Sequence, residues 1–195
     1  MRLFVALDID DAIRGKIAHF LDGVRGFAPD ARWMRPESLH VTLKFIGEKP
    51  EGEVEQIKRA MATIVSESFE LNFRGYGFFP SARAARVFWI GIDAASTLSL
   101  LAAAVDEKMA SLAIPKEEHV FNPHLTLARG GRGSGSPNKQ TSDGPNRSFQ
   151  RLQEKLAALS APDFGTMTVH EFFLYQSQLS PAESKYTKLG GFALR

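Results

Sequence analysis

Two short segments of the chain each carry a histidine and a threonine separated by one apolar residue. The first contains His40 and Thr42, and the second, in the other half of the chain, contains His124 and Thr126. In an extended strand successive side chains point to opposite faces, so each histidine shares a face with its threonine while the apolar neighbours share the other face. The repeat predicts a duplicated unit whose two polar strand faces can meet across a cleft.

Two histidines that face one substrate form an acid–base pair. The pKa of free imidazole is about 6.5, so near neutral pH one ring can accept a proton while the other donates one. Transfer at phosphorus needs both steps, because the attacking oxygen loses a proton and the leaving oxygen gains one. A threonine hydroxyl on the same strand face can donate a hydrogen bond to a phosphoryl oxygen. This chemistry requires no metal ion, and the residues alone do not assign the acid and the base.

The segments around both motifs resemble the two-histidine phosphoesterases, and within them the RNA 2′,3′-cyclic phosphodiesterases that are also described as 2′-5′ RNA ligases. The resemblance runs along nearly the whole chain. It rests on ordered segments that read MRLFVAL at 1–7, WMRPESLHVTLKFIG at 33–47, RVFWIG at 86–91, PHLTLAR at 123–129 and YTKL at 186–189.

This resemblance implies an enzyme that opens a 2′,3′-cyclic phosphate at an RNA end and leaves a 2′-phosphate. It implies that His124 accepts a proton from water and that His40 donates one to the leaving 3′ oxygen, while Thr42 and Thr126 hold the phosphoryl oxygens. We also place Arg129 near the phosphate, although its odd offset from His124 would point it to the opposite face of a regular strand. Run in reverse, the reaction would join RNA ends through a 2′-5′ linkage. We expect no cofactor and no metal ion.

Two alternatives stay open. A cyclic phosphodiesterase that acts on a small nucleotide or an ADP-ribose derivative would use the same histidines, and a non-catalytic RNA-end-binding protein would bind without turnover. The intact second motif argues against the binder, which would not need two proton carriers. A metal hydrolase is disfavoured, because the histidines lack the clustered ligands that a metal site would show.

Several other residues have both a functional and a structural interpretation. Arg83 and Arg86 are either phosphate contacts at the rim of the cleft or ordinary surface charges. Trp33, Tyr76 and Phe78 could stack on an unpaired base, but packing is the preferred interpretation. The remaining histidines have no threonine at the motif spacing and are interpreted as structural.

Composition and charge narrow the class of protein. The 195 residues are 44% hydrophobic and 24% charged, which is typical of a globular protein. The formal net charge is only +2, so any RNA contact must come from a local cluster.

The absence of cysteine fits a reducing compartment. The N-terminal apolar run is too short for a signal peptide, and no stretch approaches the roughly 20 apolar residues that span a bilayer. We expect a cytoplasmic monomer that acts on RNA, with no membrane association and no obligate protein partner.

The order of predicted elements indicates an α+β fold with two pseudo-symmetric antiparallel-sheet lobes, helices on the outer faces and a central cleft. We interpret residues 1–195 as a single bilobal domain with a flexible Gly/Ser-rich loop at about 130–146. The strand that begins at Phe69 is expected to break at Gly75–Pro80. The apolar spacing predicts helices over about 11–25, 54–65, 98–112 and 149–159, the third of them capped at Ser96.

Overall fold

A computed structural model of the protein describes residues 1–130, 147–179 and 184–195. The predicted Gly/Ser-rich loop at about 130–146 lies outside the described residues, apart from Gly130. The helices are α1 (Asp11–Val24), α2 (Val54–Met61), α3 (Ser96–Ala110) and α4 (Gln150–Ala157). The strands are β1 (Arg2–Asp8), β2 (Arg32–Trp33), β3 (His40–Glu48), β4 (Phe69–Phe79), β5 (Val87–Ala94), β6 (His124–Arg129), β7 (Asp163–Val169), β8 (Glu171–Leu179) and β9 (Ser184–Ala193).

The strands form two antiparallel sheets, which confirms the predicted α+β bilobal fold. The first sheet has the order β3-β1-β8-β9, and the second has the order β2-β6-β5-β4-β7. The first motif strand, β3, is therefore an edge of the first sheet, and the second motif strand, β6, lies near an edge of the second sheet. These two motif strands contact each other across the sheets. The fold thus brings the two copies of the motif together.

The second half of the chain repeats the element order of the first half. Apart from the two-residue strand β2, the order β1-α1-β3-α2-β4 is repeated as β5-α3-β6-α4-β7, and in each unit the first strand pairs antiparallel with the motif strand. The helices cross between the halves. Helix α1 follows a strand of the first sheet but packs on β7 of the second, and α3 follows a strand of the second sheet but packs on β3 of the first. This exchange ties the two lobes together through one continuous apolar core.

Strand β1 has an unbroken apolar sequence because both of its faces are buried. Leu3, Val5 and Leu7 point into the main core, whereas Phe4 and Ala6 point to the other face and pack in a separate small cluster. A strand that is covered on both faces gives a continuous hydrophobic run rather than an alternating one. The second of these faces is the face that carries the first motif.

Two local predictions were wrong. Strand β4 does not break at Gly75–Pro80 but continues to Phe79 through a bulge, with Gly75 in the left-handed region at a φ of 69°. Ser96 does not cap α3, because it is the first helical residue and Ala95 takes the N-cap position without a side-chain hydrogen bond. Helix α1 does have a side-chain cap, since Asp10 Oδ1 accepts a 2.8 Å hydrogen bond from the backbone N–H of Ile13.

None of the helices in the described ranges is long and apolar enough to cross a membrane.

Candidate active site

The two motif strands place their polar residues as the alternation predicts. His40 and Thr42 are half-buried on one face of β3, and His124 and Thr126 are half-buried on one face of β6. The apolar residues between and beside them are fully buried in the core: Val41, Leu43, Leu125 and Leu127. Each strand therefore anchors its motif through one face and presents an imidazole and a hydroxyl on the other.

Both imidazole rings are held by the same hydrogen bond. Nδ1 of His40 lies 2.8 Å from the carbonyl oxygen of Ser38, and Nδ1 of His124 lies 2.8 Å from the carbonyl oxygen of Asn122. A carbonyl oxygen only accepts, so Nδ1 of each ring carries the hydrogen and donates it. This bond fixes the tautomer and leaves Nε2 of each ring as the atom available to a substrate.

Aromatic side chains surround both histidines. The ring of His40 lies 4.8 Å from Phe4 and 5.1 Å, edge to face, from Tyr186. The ring of His124 lies 4.9 Å, also edge to face, from Phe79. These contacts hold the imidazole planes and keep water away from one side of each ring.

In the second lobe, an aromatic ring beside His124 packs directly against the backbone of a neighbouring strand. The indole of Trp89, centred 6.3 Å from the ring of His124, lies flat over Gly77. A Cβ atom at position 77 would fall 2.2 Å from the indole, so any larger residue would displace this ring.

Burial dominates the titration of both histidines. Desolvation lowers the pKa of His40 to about 4, the hydrogen bond to Ser38 and the carboxylate of Asp8 act in the opposite direction, and the charge of Arg129 adds to the lowering. Desolvation also lowers the pKa of His124 below its ordinary value, again with a contribution from Arg129. In the free protein at pH 7 both rings are therefore neutral.

Arg129 lies on the same side of β6 as His124, because β6 is not a regular strand. The register between β5 and β6 shifts next to Thr126, and the consecutive residues Leu127 and Ala128 are both buried. This bulge inserts one residue into the alternation and returns Arg129 to the cleft face. Its charge acts on both imidazoles, in agreement with this position.

The first lobe contains the corresponding bulge, and it exposes a residue that the sequence analysis missed. The register between β1 and β3 shifts after Thr42, and the consecutive residues Leu43 and Lys44 are both buried. Phe45 is consequently turned to the cleft face, where its side chain is 57% exposed. In the sequence, the only sign of Phe45 was its odd offset from His40, and Arg129 has the same offset from His124.

A carboxylate lies beside the first motif and has no counterpart at the equivalent position beside the second. Asp8 lies directly opposite His40 in the register of β1 and β3, whereas the equivalent position opposite His124 is Gly91. The carboxylate of Asp8 accepts hydrogen bonds from Lys188 at 2.7 Å and from Arg14 at 2.8 Å. Burial acts to raise the pKa of Asp8, but the hydrogen bond and charge of Lys188 with those of its other partners hold it below the ordinary value. Asp8 is therefore ionised at neutral pH.

The other aromatic residues and histidines have structural surroundings. Trp33 donates its Nε1–H to the carbonyl oxygen of Ala28 at 2.9 Å, and Phe78 is buried in the core. Three further histidines are exposed, with His19 on α1, His119 before β6 and His170 between β7 and β8. In the ranges that the structure describes, no group of three or more His, Cys, Asp or Glu residues is arranged to hold a metal ion.

The duplicated architecture has a counterpart among known families. The family model of LigT-like phosphoesterases matches the chain twice, over residues 7–89 and 90–186, so that each match contains one His-x-Thr motif. The chain belongs to the LigT-like phosphoesterase family. The resemblance to two-histidine phosphoesterases that the motifs indicated is thereby confirmed.

Relatives of the family match this chain from end to end. An RNA 2′,3′-cyclic phosphodiesterase of Archaeoglobus fulgidus is 34% identical over 192 residues, which cover 98% of this chain and 99% of that protein. A protein of the same name from Methanothermobacter thermautotrophicus is 32% identical over 196 residues and covers 100% and 99%. The crystal structure of E. coli LigT complexed with 3′-AMP has a TM-score of 0.74 and 26% identity, covering 99% of this chain and 97% of that one.

Proposed function

We propose that this phosphoesterase hydrolyses 2′,3′-cyclic phosphate ends of RNA to 2′-phosphate ends by acid–base catalysis between His40 and His124. The observation that carries the proposal is the matched pair of imidazoles on contacting strands, each with Nδ1 bound to a backbone carbonyl and Nε2 left for the substrate. The names of the relatives from Archaeoglobus fulgidus and Methanothermobacter thermautotrophicus support the same reaction.

In the proposed reaction, Nε2 of His124 takes a proton from a water molecule that attacks phosphorus opposite the 3′ oxygen. The P–O3′ bond breaks, and Nε2 of His40 delivers a proton to the departing 3′ oxygen. Thr42, Thr126 and Arg129 hold the non-bridging phosphoryl oxygens through two hydroxyls and one guanidinium group. The product keeps its phosphate on the 2′ oxygen.

The asymmetry between Asp8 and Gly91 supports this division of roles. A carboxylate next to an imidazole favours the protonated ring, so His40 has a neighbour that stabilises the acid form. His124 has a glycine at the matching position and no such carboxylate among its described neighbours, which suits a base that starts neutral. Both rings share the same backbone hydrogen bond and a pKa lowered by burial, so this difference in neighbouring charge supports His40 as the donor.

The low pKa of free His40 sets one condition on the mechanism. Burial holds the pKa at about 4, so His40 must acquire its proton when substrate binds. An anionic phosphate next to the ring raises the imidazole pKa, because it favours the charged form, and Asp8 acts in the same direction. The negative charge of the substrate therefore favours protonation of His40, the acid of the proposed reaction.

Phe45 offers a flat apolar surface to the terminal base. Its ring lies on the cleft face, 6.2 Å from Phe4 and exposed to solvent. Unpaired bases stack on such rings whatever the base, with a free energy of about 1–3 kcal/mol per base. Phosphate contacts from Arg129 and stacking on Phe45 together suit a nucleotide end.

We also propose that the protein works as a monomer in the cytoplasm and that reversal of the same two proton transfers can form a 2′-5′ linkage. One chain supplies both histidines, which supports a site that needs no second copy. Light scattering after gel filtration measures the mass, and ligation of a cyclic-phosphate end to a 5′-hydroxyl end in concentrated RNA tests the reverse reaction.

The test of the main proposal is hydrolysis of a short RNA with a 2′,3′-cyclic phosphate end in the presence of EDTA. We expect the wild type to produce a 2′-phosphate end, and His40→Ala and His124→Ala each to reduce turnover by roughly 100-fold or more. His19→Ala, which removes an exposed histidine of α1, is the matched control and should retain full turnover.

Each result of this assay decides a separate point. A wild type that does not hydrolyse the RNA end either with or without EDTA would refute the proposed function. Turnover that survives either cleft substitution would refute the two-histidine mechanism, and turnover lost only with EDTA would refute its independence of metal ions.

A further inference from the structure

Three arginine side chains lie on the cleft faces of the two sheets: Arg2, Arg32 and Arg129. Arg32 and Arg129 stand directly opposite each other in the register of β2 and β6, so their side chains project from the same face of the second sheet. Arg2 shares a face of β1 with Phe4 and Ala6, which is the face that carries the first motif. The proposed reaction uses only Arg129.

Arg32 reaches across the cleft toward Arg2. Its Nη2 donates a 3.0 Å hydrogen bond to Oγ of Ser184 on β9 of the first sheet. Ser184 shares a strand face with Tyr186, and Tyr186 lies opposite Ser177, which in turn lies opposite Arg2. Arg2 and Arg32 therefore converge on one end of the cleft, although they belong to different sheets.

None of the three arginines has a carboxylate partner among the described residues. Like charges that stand directly opposite in a sheet destabilise it, so the pair of Arg32 and Arg129 costs folding free energy. Burial lowers the pKa of Arg129, and the positive charges of Arg32 and Arg2 add to that lowering. The mutual repulsion in a cationic cluster of this kind is compensated when an anion binds.

One phosphate does not account for the whole cluster. The cyclic phosphate carries a single negative charge, and in the proposed reaction it contacts Arg129 between the two histidines. Arg2 and Arg32 remain as two further cations at the end of the cleft beyond Arg129. In a polynucleotide the next anion along the chain is the phosphodiester that joins the terminal nucleotide to its 5′ neighbour.

We propose that Arg2 and Arg32 bind this phosphodiester, so that the protein recognises an oligonucleotide end in preference to a mononucleotide. The inference rests on the proposed function and specifies its substrate class. The guanidinium groups contact the phosphate oxygens by charge and hydrogen bonds, which position the chain without reading its sequence. Arg129 then binds the reacting cyclic phosphate, and Arg2 and Arg32 bind the neighbouring phosphodiester, which does not react.

The experiment compares 2′,3′-cyclic AMP with the dinucleotide ApA that ends in a 2′,3′-cyclic phosphate. The wild type should hydrolyse the dinucleotide with a kcat/KM at least roughly 10-fold higher. Arg2→Gln and Arg32→Gln should each reduce kcat/KM on the dinucleotide by about 10-fold, the loss expected for one charged hydrogen-bonded contact. Their kcat/KM on the mononucleotide should stay within about twofold of the wild type. Arg59→Gln, an exposed arginine of α2, is the matched control.

Salt dependence supplies a second readout that a structural defect would not move. The decline of kcat/KM with rising salt concentration should become shallower for each arginine removed, but only on the dinucleotide, because salt screens a charge–charge contact that the variant lacks. Equal losses on both substrates, or none, would overturn the inference. A wild type that hydrolyses both substrates equally would overturn it and leave the proposed function intact, whereas a wild type that hydrolyses neither would refute both.

Discussion

Phe45 and Arg129 occupy equivalent positions in the two lobes. Each lies five residues after its motif histidine and directly after two consecutive buried residues at a bulge. The same irregularity of the backbone thus delivers an aromatic ring to one wall of the cleft and a guanidinium group to the other. A duplicated unit has kept its geometry while the two side chains took different chemical characters, one suited to a base and one to a phosphate.

Replacement of Phe45 by alanine should weaken substrate binding without weakening the fold. The ring is 57% exposed, so its removal loses little core packing, while the stacking it offers is about 1–3 kcal/mol per base. We expect KM for the cyclic-phosphate dinucleotide to rise by roughly 10-fold with a smaller change in kcat. Steady-state kinetics measure both constants.

Leu100→Ala is the control for this substitution, because Leu100 is 65% exposed on α3 and lies outside the cleft. Phe45→Tyr keeps the ring and should keep the wild-type KM. An unchanged KM in the alanine variant would remove Phe45 from the binding surface.

Replacement of Arg129 should act on the chemical step. Its guanidinium group can hold two phosphoryl oxygens at once, which the single ammonium of lysine cannot do. We expect kcat to fall by roughly 100-fold in Arg129→Gln and by a smaller factor in Arg129→Lys, because the contact strengthens as charge develops on phosphorus. Single-turnover rates at saturating substrate measure this effect. A rise in KM with kcat unchanged would mean that Arg129 only binds the ground state.

The period of two residues along a strand predicted the faces of the two motifs. The same period does not show where a bulge interrupts the strand, so the bulges were missed. A period of two residues places His40 with Thr42 and His124 with Thr126 whenever the strand is regular. An inserted residue shifts every later position to the other face, and only the pairing with the neighbouring strand shows where the insertion lies. Arg129 and Phe45 both follow such a point, so their orientation depends on tertiary structure. The crossing of α1 and α3 between the sheets is likewise a property of packing rather than of local pattern.

The kcat/KM of the wild type should be highest at a lower pH than two histidines with ordinary pKa values would give. Burial lowers the pKa of His40 to about 4 and lowers the pKa of His124, and kcat/KM reports the free enzyme. One ring must carry a proton, and the singly protonated fraction falls tenfold per pH unit above the higher pKa. We expect kcat/KM to decline by about tenfold per unit from pH 7 to 9. A plateau extending to pH 8 would contradict the lowered pKa values.

Asp8→Asn should move this descending limb to lower pH. The carboxylate of Asp8 favours the protonated form of His40, so its removal lowers the pKa of the imidazole further. At a fixed pH on the limb, fewer molecules then carry the proton, and kcat/KM falls by severalfold. Profiles of the wild type and the variant over pH 5–9 show the displacement. Asp22→Asn, at an exposed carboxylate of α1 paired with Arg25, should leave the limb in place, and an identical limb in Asp8→Asn would separate Asp8 from the acid.

Asp106→Asn should destabilise the protein far more than Glu107→Gln. The ammonium of Lys44 is buried at the bulge of β3, 2.6 Å from Asp106 on α3 and 2.8 Å from the carbonyl oxygen of Pro115. Loss of the carboxylate leaves a buried positive charge without its main partner, which costs about 3 kcal/mol in the free energy of unfolding.

The neighbouring pair of Glu107 and Lys116 is exposed, so its loss should cost under about 1 kcal/mol. Urea denaturation of both variants, with the slope m unchanged, gives the two differences directly. Equal and small losses would show that the ion pair beneath the bulge does not stabilise the fold. A large loss confined to Asp106→Asn would show that the buried ion pair beneath the bulge stabilises the fold.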